Sequence, residues 1–323
     1  MKKLFVSLVA IVMATMSYAQ NVLVATLTHG DEIKMFYGTY ALQQAHAAAT
    51  DGDIINLSGG GFQSVKITKA LTVRGTGVWD SFPTKIIENL DIEIPTTVTD
   101  RLNFEGCIFS NSINVKGTLS NAYFLKNVIQ RFYISDGNMI NGIFVNCDLY
   151  TMSLTGSSTV QFINSWITDF QNNDPSNAFA SFINCGINDN GGGKYLKSVQ
   201  LINSIIWNAN SYYYYLSLPS QSSAWNCIAV GDKCDHAFSN LSTCQNCTVA
   251  GTEIFNNGNV WEDLTDEAKT KYLGTDGTPV GRYGGIMPYD MIPAYPRITK
   301  MNVASKTTAD GKLSVEIEVS AAE

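Results

Sequence analysis

Charge is scarce in this sequence. Lys and Arg supply 21 of its 323 residues and Asp and Glu 28, so charged side chains make up 15%, against about 25% in an ordinary soluble domain. That deficit excludes a charged disordered chain and a coiled-coil or long-helix protein, both of which need abundant Glu and Lys. No basic cluster occurs and the net charge is −7, which argues against a nucleic-acid partner. Long apolar runs are missing too: beyond the first twenty residues no stretch is apolar enough for a transmembrane segment. Arginine occurs five times and histidine three times, whereas asparagine occurs 28 times, more than Lys and Arg together.

The first segment has Lys2 and Lys3, an apolar run from Leu4 to Met13, and Ser17-Tyr18-Ala19 before Gln20. This is the layout of a cleavable signal peptide, with a run too short for a permanent span. A buried N-terminal helix is the other reading. The first cysteine is Cys107, so no lipid anchor on an N-terminal cysteine is expected, and the chain is expected to be secreted or at the cell surface.

The middle of the chain repeats. Phe104-Glu-Gly-Cys-Ile-Phe109, Phe124-Leu-Lys-Asn-Val-Ile129, Phe144-Val-Asn-Cys-Asp-Leu149 and Phe162-Ile-Asn-Ser-Trp-Ile167 align with one another. Phe182-Ile-Asn-Cys-Gly-Ile187, Leu201-Ile-Asn-Ser-Ile-Ile206, Ala224-Trp-Asn-Cys-Ile-Ala229 and Cys244-Gln-Asn-Cys-Thr-Val249 continue the series. The blocks start 20, 20, 18, 20, 19, 23 and 20 residues apart. Their first position is mostly Phe, the last is always apolar, the one two before it is nearly always small, and the one between is mixed. Alternation with period two is a strand. Units this short, rich in Asn, Ser, Thr and Ile, do not hold two helices; they stack as a solenoid.

The third column reads Gly106 and Lys126, then Asn146, Asn164, Asn184, Asn203, Asn226 and Asn246. Asn tolerates the left-handed conformation of a sharp turn between strands, and stacked amides are expected to bond to each other in a continuous ladder. The expectation is an all-β fold, a right-handed parallel β-helix of about ten coils. At roughly 4.8 Å per rung the rod is about 45–50 Å long. A leucine-rich repeat has a similar period, but its Leu-x-x-Leu-x-Leu spacing is absent.

Asp51-Gly-Asp-Ile-Ile-Asn-Leu-Ser-Gly-Gly-Gly-Phe62 and Val65-Lys-Ile-Thr-Lys-Ala-Leu-Thr-Val-Arg-Gly-Thr-Gly77 resemble the opening coils of pectin-lyase-like β-helix proteins. That resemblance implies an N-terminal helical cap, and Tyr40-Ala-Leu-Gln-Gln-Ala-His-Ala-Ala-Ala49 looks like one, with Leu42, Ala45 and Ala49 on one stripe. Tyr272-Leu-Gly-Thr-Asp-Gly-Thr-Pro-Val-Gly-Arg-Tyr-Gly-Gly-Ile-Met-Pro288 is similar to the exit segment of secreted β-helix proteins of Bacteroidetes type. Met301–Ser305, a turn at Asp310-Gly311 and alternating Leu313, Val315, Ile317 and Val319 predict a C-terminal hairpin. We place it over the C-terminal end of the solenoid, with docking to another protein as the alternative. The expected organisation is a signal peptide at 1–19, an N-terminal strand and helix cap at 20–51, the β-helix at 52–260, and an exit segment and hairpin cap at 261–323.

Cys107, Cys147, Cys185 and Cys227 fall on alternate rungs, beyond the ~7 Å Cα limit of a disulfide. They are expected to be small buried hydrophobes. Only Cys227 with Cys247, or Cys234 with Cys244, can pair. Cys244-Gln-Asn-Cys247 has thiol-redox or zinc spacing, but its cysteines fall in inward columns and no second such motif occurs, so no metal and no cofactor is expected.

β-Helix proteins of this kind are often lyases, hydrolases or esterases, yet none of the local signatures of those families occurs. The best catalytic constellation is Lys126, Arg131 and Asp148 on neighbouring coils, with ordinary surface charges as the plainer reading. The outward positions Tyr150, Trp166 and Trp207 suggest something different, a flat aromatic platform for sugar rings, extended by Tyr212-Tyr-Tyr-Tyr215. The alternative is that loops fold over these residues and bury them. The sequence therefore points to a non-catalytic protein for surface binding or adhesion, to a glycan or to another surface protein. A carbohydrate-active enzyme with an atypical site and a structural envelope component are the alternatives.

Overall fold

A computed structural model describes residues 23–79, 82–169, 176–188, 196–207, 219–231, 238, 241–303, 310–312 and 315–320. The signal segment, Tyr212–Tyr215 and Cys234 lie outside the described residues.

The repeat folds as a parallel β-helix, consistent with the pectin-lyase-like fold. Its strands stack into one 12-stranded and one 11-stranded sheet. Setting aside the two antiparallel strands at the head of the first sheet leaves ten parallel strands in it. Register is kept along each column: Phe124 pairs with Phe104 and Phe144, and Phe162 with Phe144 and Phe182. The repeat spacing thus places the same ring at the same height in every coil. Five of these rings form a continuous offset stack, with centroids 5.8, 4.7, 5.0 and 4.9 Å apart, inside the favourable range for aromatic pairs. All are at most 2% exposed.

All eight third-column residues have the left-handed backbone expected of the corner. Gly106 has φ +65° and Lys126 φ +55°, and the six Asn lie between φ +47° and +54°. A second corner at Asn121 and Asn141 has φ +55° and +54°.

The N-terminal end is closed as expected. Val24–His29 pairs antiparallel with both Glu32–Tyr37 and the first-coil strand Ile54–Leu57, so the first strand edge is occupied. The helix Ala41–Ala48 buries Ala41, Leu42, Ala45 and His46, and Ala49 joins the same core. No helix among the described residues is long and apolar enough to cross a membrane.

The C-terminal segment departs from expectation. After the short helix Asp266–Lys271 the chain turns back along the Asn corner as a strap. Thr275 and Gly281 bond to Asn203, Arg282 and Gly284 to Asn164, Tyr289 to Asp148, Asp290 and Ile292 to Lys126, and Tyr295 to Gly75. The hairpin forms, pairing Arg297–Val303 with Val315–Ser320. Its first strand starts two residues after Tyr295, whose hydroxyl donates to the Gly75 carbonyl of an early coil. At that end Cys244 and Val249, whose columns point inward on other rungs, are exposed.

Candidate functional site

The strap changes the fate of the Asn column. Asn246 Nδ2 donates to Asn226 Oδ1 at 3.0 Å, as in the expected ladder. On the rungs beneath the strap the ladder gives way to bonds with the strap backbone. Asn164 Nδ2 donates to the carbonyls of Arg282 and Gly284 at 2.8 and 2.7 Å, and Asn203 Oδ1 accepts from the Thr275 N–H at 2.9 Å. The physical reason is competition, since an amide offered two fixed carbonyls has no donor left for its neighbour. The strap lies so close that a Cβ on Gly285, at φ +79°, would sit 1.9 Å from Asn184 Nδ2.

The three catalytic candidates do not converge. Lys126 sits in the left-handed corner, and its Nζ binds the Asp290 carboxylate at 3.0 Å and the Ile292 carbonyl. Asp148 on the next coil accepts the Tyr289 hydroxyl at 2.7 Å, with the Arg282 guanidinium 4.0 Å from its other oxygen. Burial pushes the Asp148 carboxyl above its ordinary range, against the hydrogen bond from Tyr289 and the charge of Arg282. Burial likewise raises the Tyr289 phenol, with the adjacent Asp148 charge adding to the effect. Arg131 is exposed and donates to Asn111 at 3.3 Å. Two of the three candidates therefore hold the strap, and the third faces a different neighbour.

Arg282 is the hub that sequence reasoning missed. Its side chain is only 11% exposed. The guanidinium lies 5.0 Å from the Trp166 ring centroid, 4.8 Å from that of Tyr283 and 4.6 Å from that of Tyr289. Its Nη2 donates to the Trp261 carbonyl at 2.5 Å. Such cation–π contacts strengthen when desolvated. Four polar atoms lie buried in this region without a hydrogen-bond partner among the described residues: Asn146 Oδ1, Asp148 Oδ1, Asn184 Oδ1 and Trp166 Nε1.

The aromatic candidates occupy two outward columns. Trp166 lies in the column of Asp148, Gly186 and Ile205. It is 5% exposed, because residues 254–280 fold over the outer face of the second sheet and build an apolar cluster with Ile205, Ile228 and Val230. Tyr150 and Trp207 share the other column, with Thr168 and Asn188 between them, about 14 Å apart at three rung spacings. Tyr150 is 43% exposed and Trp207 partly buried. Trp261 comes from outside the repeat. Its ring centroid is 4.7 Å from Trp166 and 6.4 Å from Trp207, and it is 42% exposed. The only sequence signal for it was the identity of the residue, since no periodicity places it.

Where the strap ends, a groove of about 250 Å³ opens beside Asn226, Asn246, Thr248, Lys271 and Tyr272. The chain matches no family model, no curated protein and no solved structure.

Proposed function

We propose that this chain is an exported, non-catalytic β-helix protein that binds a surface glycan through aromatic side chains on the outer face of its second sheet. Trp261, Trp207 and Tyr150 form the contact surface, and Trp166 is the floor on which Trp261 rests. The observation that carries this reading is an exposed indole with a fixed orientation. Trp261 is open to solvent on one side and braced by Trp166 and Trp207 on the other. A rigid, half-exposed ring presents apolar area to a sugar face at little entropic cost. Commitment of Lys126 and Asp148 to the strap supports binding without catalysis.

The test is incubation of the protein with a panel of neutral and acidic polysaccharides, reading retention on immobilised glycan and chain cleavage together. We expect retention without cleavage, weakened at least tenfold by Trp261→Ala or Trp207→Ala and less by Tyr150→Ala. Cleavage abolished by Lys126→Ala or Arg131→Ala would establish an enzyme instead. Absence of both retention and cleavage would remove the glycan reading.

A further inference from the structure

The inward small column of the solenoid reads Cys107, Asn127, Cys147, Ser165, Cys185, Ser204, Cys227, Cys247. Through most of the rod each cysteine alternates with a residue that hydrogen-bonds to it. The Cys107 N–H donates to Asn127 Oδ1 at 2.9 Å, and the Cys147 and Cys185 N–H groups to Ser165 and Ser204 Oγ, each at 3.1 Å. The pattern breaks once, at the last rung, where two cysteines are consecutive.

That rung is firmly in register with the one before it. The Thr248 N–H donates to the Cys227 carbonyl at 3.0 Å, and the Asn226 and Asn246 side chains bond to each other at 3.0 Å. Cys227 and Cys247 are thus one rung apart, about 4.8 Å, inside the roughly 4.4–6.8 Å Cα window of a disulfide. The Cys227 thiol donates to the Trp225 carbonyl at 3.1 Å and the Cys247 thiol to the Gln245 carbonyl at 3.5 Å, the same arrangement one rung apart. Exposure grades outward from buried Cys227 through half-buried Cys247 to exposed Cys244.

We propose that this end of the rod is a thiol–disulfide exchange site, at which a low-molecular-weight disulfide converts Cys227 and Cys247 into a staple holding the last coil. The steps balance without another oxidant. The exposed Cys244 thiolate attacks the external disulfide, forming a mixed disulfide and releasing one thiol. Cys247, after losing its proton, attacks the Cys244 sulfur and releases the second thiol. Cys227, losing its proton in turn, attacks the Cys247 sulfur and returns Cys244 to its reduced form. In sum, two protein thiols become one disulfide while one external disulfide becomes two thiols.

The location explains the need for a staple. A terminal coil has one neighbour instead of two and is the first to fray. Among the described residues the strap's hydrogen bonds to the Asn corner end at Asn203, two rungs short of the last. The chemistry also marks the site as a staple rather than a redox catalyst. An unactivated thiol, with an ordinary pKa of about 8.5, is mostly protonated at neutral pH, so thiolate is scarce and exchange is slow.

The test exposes the whole protein to glutathione disulfide at pH 8, then alkylates the remaining thiols under denaturing conditions and maps peptides by mass. We expect Cys227 and Cys247 to lose reactivity together and to appear as one cross-linked peptide. Amide exchange at 248–250 should slow at least tenfold. Cys247→Ser should abolish the cross-link while the fold is kept, because the same column already carries Ser165 and Ser204. Cys244→Ser should slow formation several-fold and leave the end state unchanged. Cys227 remaining alkylatable, Cys247 bridged to any other thiol, or unchanged exchange at 248–250 would overturn the proposal.

Discussion

Asn164 does two jobs that substitution can separate. Its backbone is left-handed at φ +47°, and its amide, 1% exposed, holds the strap by two bonds to the carbonyls of Arg282 and Gly284. Asn164→Gly keeps the backbone conformation and removes the bonds. Each bond contributes about 1 kcal/mol net, and a carbonyl left buried without a donor costs about 1–3 kcal/mol more. The Arg282 carbonyl keeps its bond from the Tyr289 N–H, so the orphaned group is the Gly284 carbonyl. The sum is about 3–5 kcal/mol. Asn164→Ala suffers the same loss and keeps a Cβ in the left-handed region without the local hydrogen bonding that eases it for Asn, so it should be about 1–2 kcal/mol less stable than Asn164→Gly. Asn246→Gly is the control, since that residue is exposed, has the same backbone at φ +54° and, among the described residues, its side chain bonds to Asn226 at 3.0 Å. It should cost under about 1 kcal/mol. Urea unfolding followed by tryptophan fluorescence reads the difference, because Trp166 and Trp261 lie against Arg282. Hydrogen exchange at residues 282–289 tells whether the strap has come loose. If the two glycine variants are equally stable and exchange at 282–289 is unchanged, the strap is not held by the Asn corner and our account of the site fails.

Two further outcomes follow from the core and the cap. Phe144→Ala should cost at the upper end of the ~3–5 kcal/mol range for buried Phe. Its stacked neighbours Phe124 and Phe162 are fixed by coil spacing and cannot close the cavity. Phe182→Ala, at the end of the stack, should cost measurably less in the same urea titration. His46 in the cap helix accepts the Thr68 N–H at Nε2, which requires a neutral ring. Burial, with the charge of Lys69 second, lowers its pKa from 6.5 to about 4. The native state therefore binds fewer protons than the unfolded state between those values, and this contribution to stability is lost as pH falls from 6.5 to 4. His46→Gln should flatten that part of the pH–stability curve, and an unchanged slope would show that His46 is not the group responsible.

What could be read in the sequence was what repeats. The Phe column, the small inward column and the left-handed Asn corner each recur at one rung spacing. A period of about twenty residues therefore fixes which side chains stack, and the coils assemble as the columns say. The cap helix and the hairpin strands were legible for the same reason, since each carries its own local period. Trp166 was placed correctly in an outward column, but its exposure was not legible, because what lies over it comes from residues 254–283 and not from its own repeat.

The strap was invisible for a physical reason. It has no periodicity, and its anchors join residues far apart in the chain: Asn164 with Arg282, Lys126 with Asp290, Tyr295 with Gly75. Each is an irregular backbone or side-chain contact that no local spacing encodes. The sequence by itself determined a parallel β-helix, its register and its N-terminal closure, because stacking identical rungs needs only nearest-neighbour rules. Only the tertiary structure decided that Lys126 and Asp148 clamp a returning segment, that Trp261 replaces Trp166 as the exposed ring, and that the last coil is left open with two cysteines in register. Those features depend on where the chain goes after the repeat ends, and that path is set by contacts spanning more than a hundred residues.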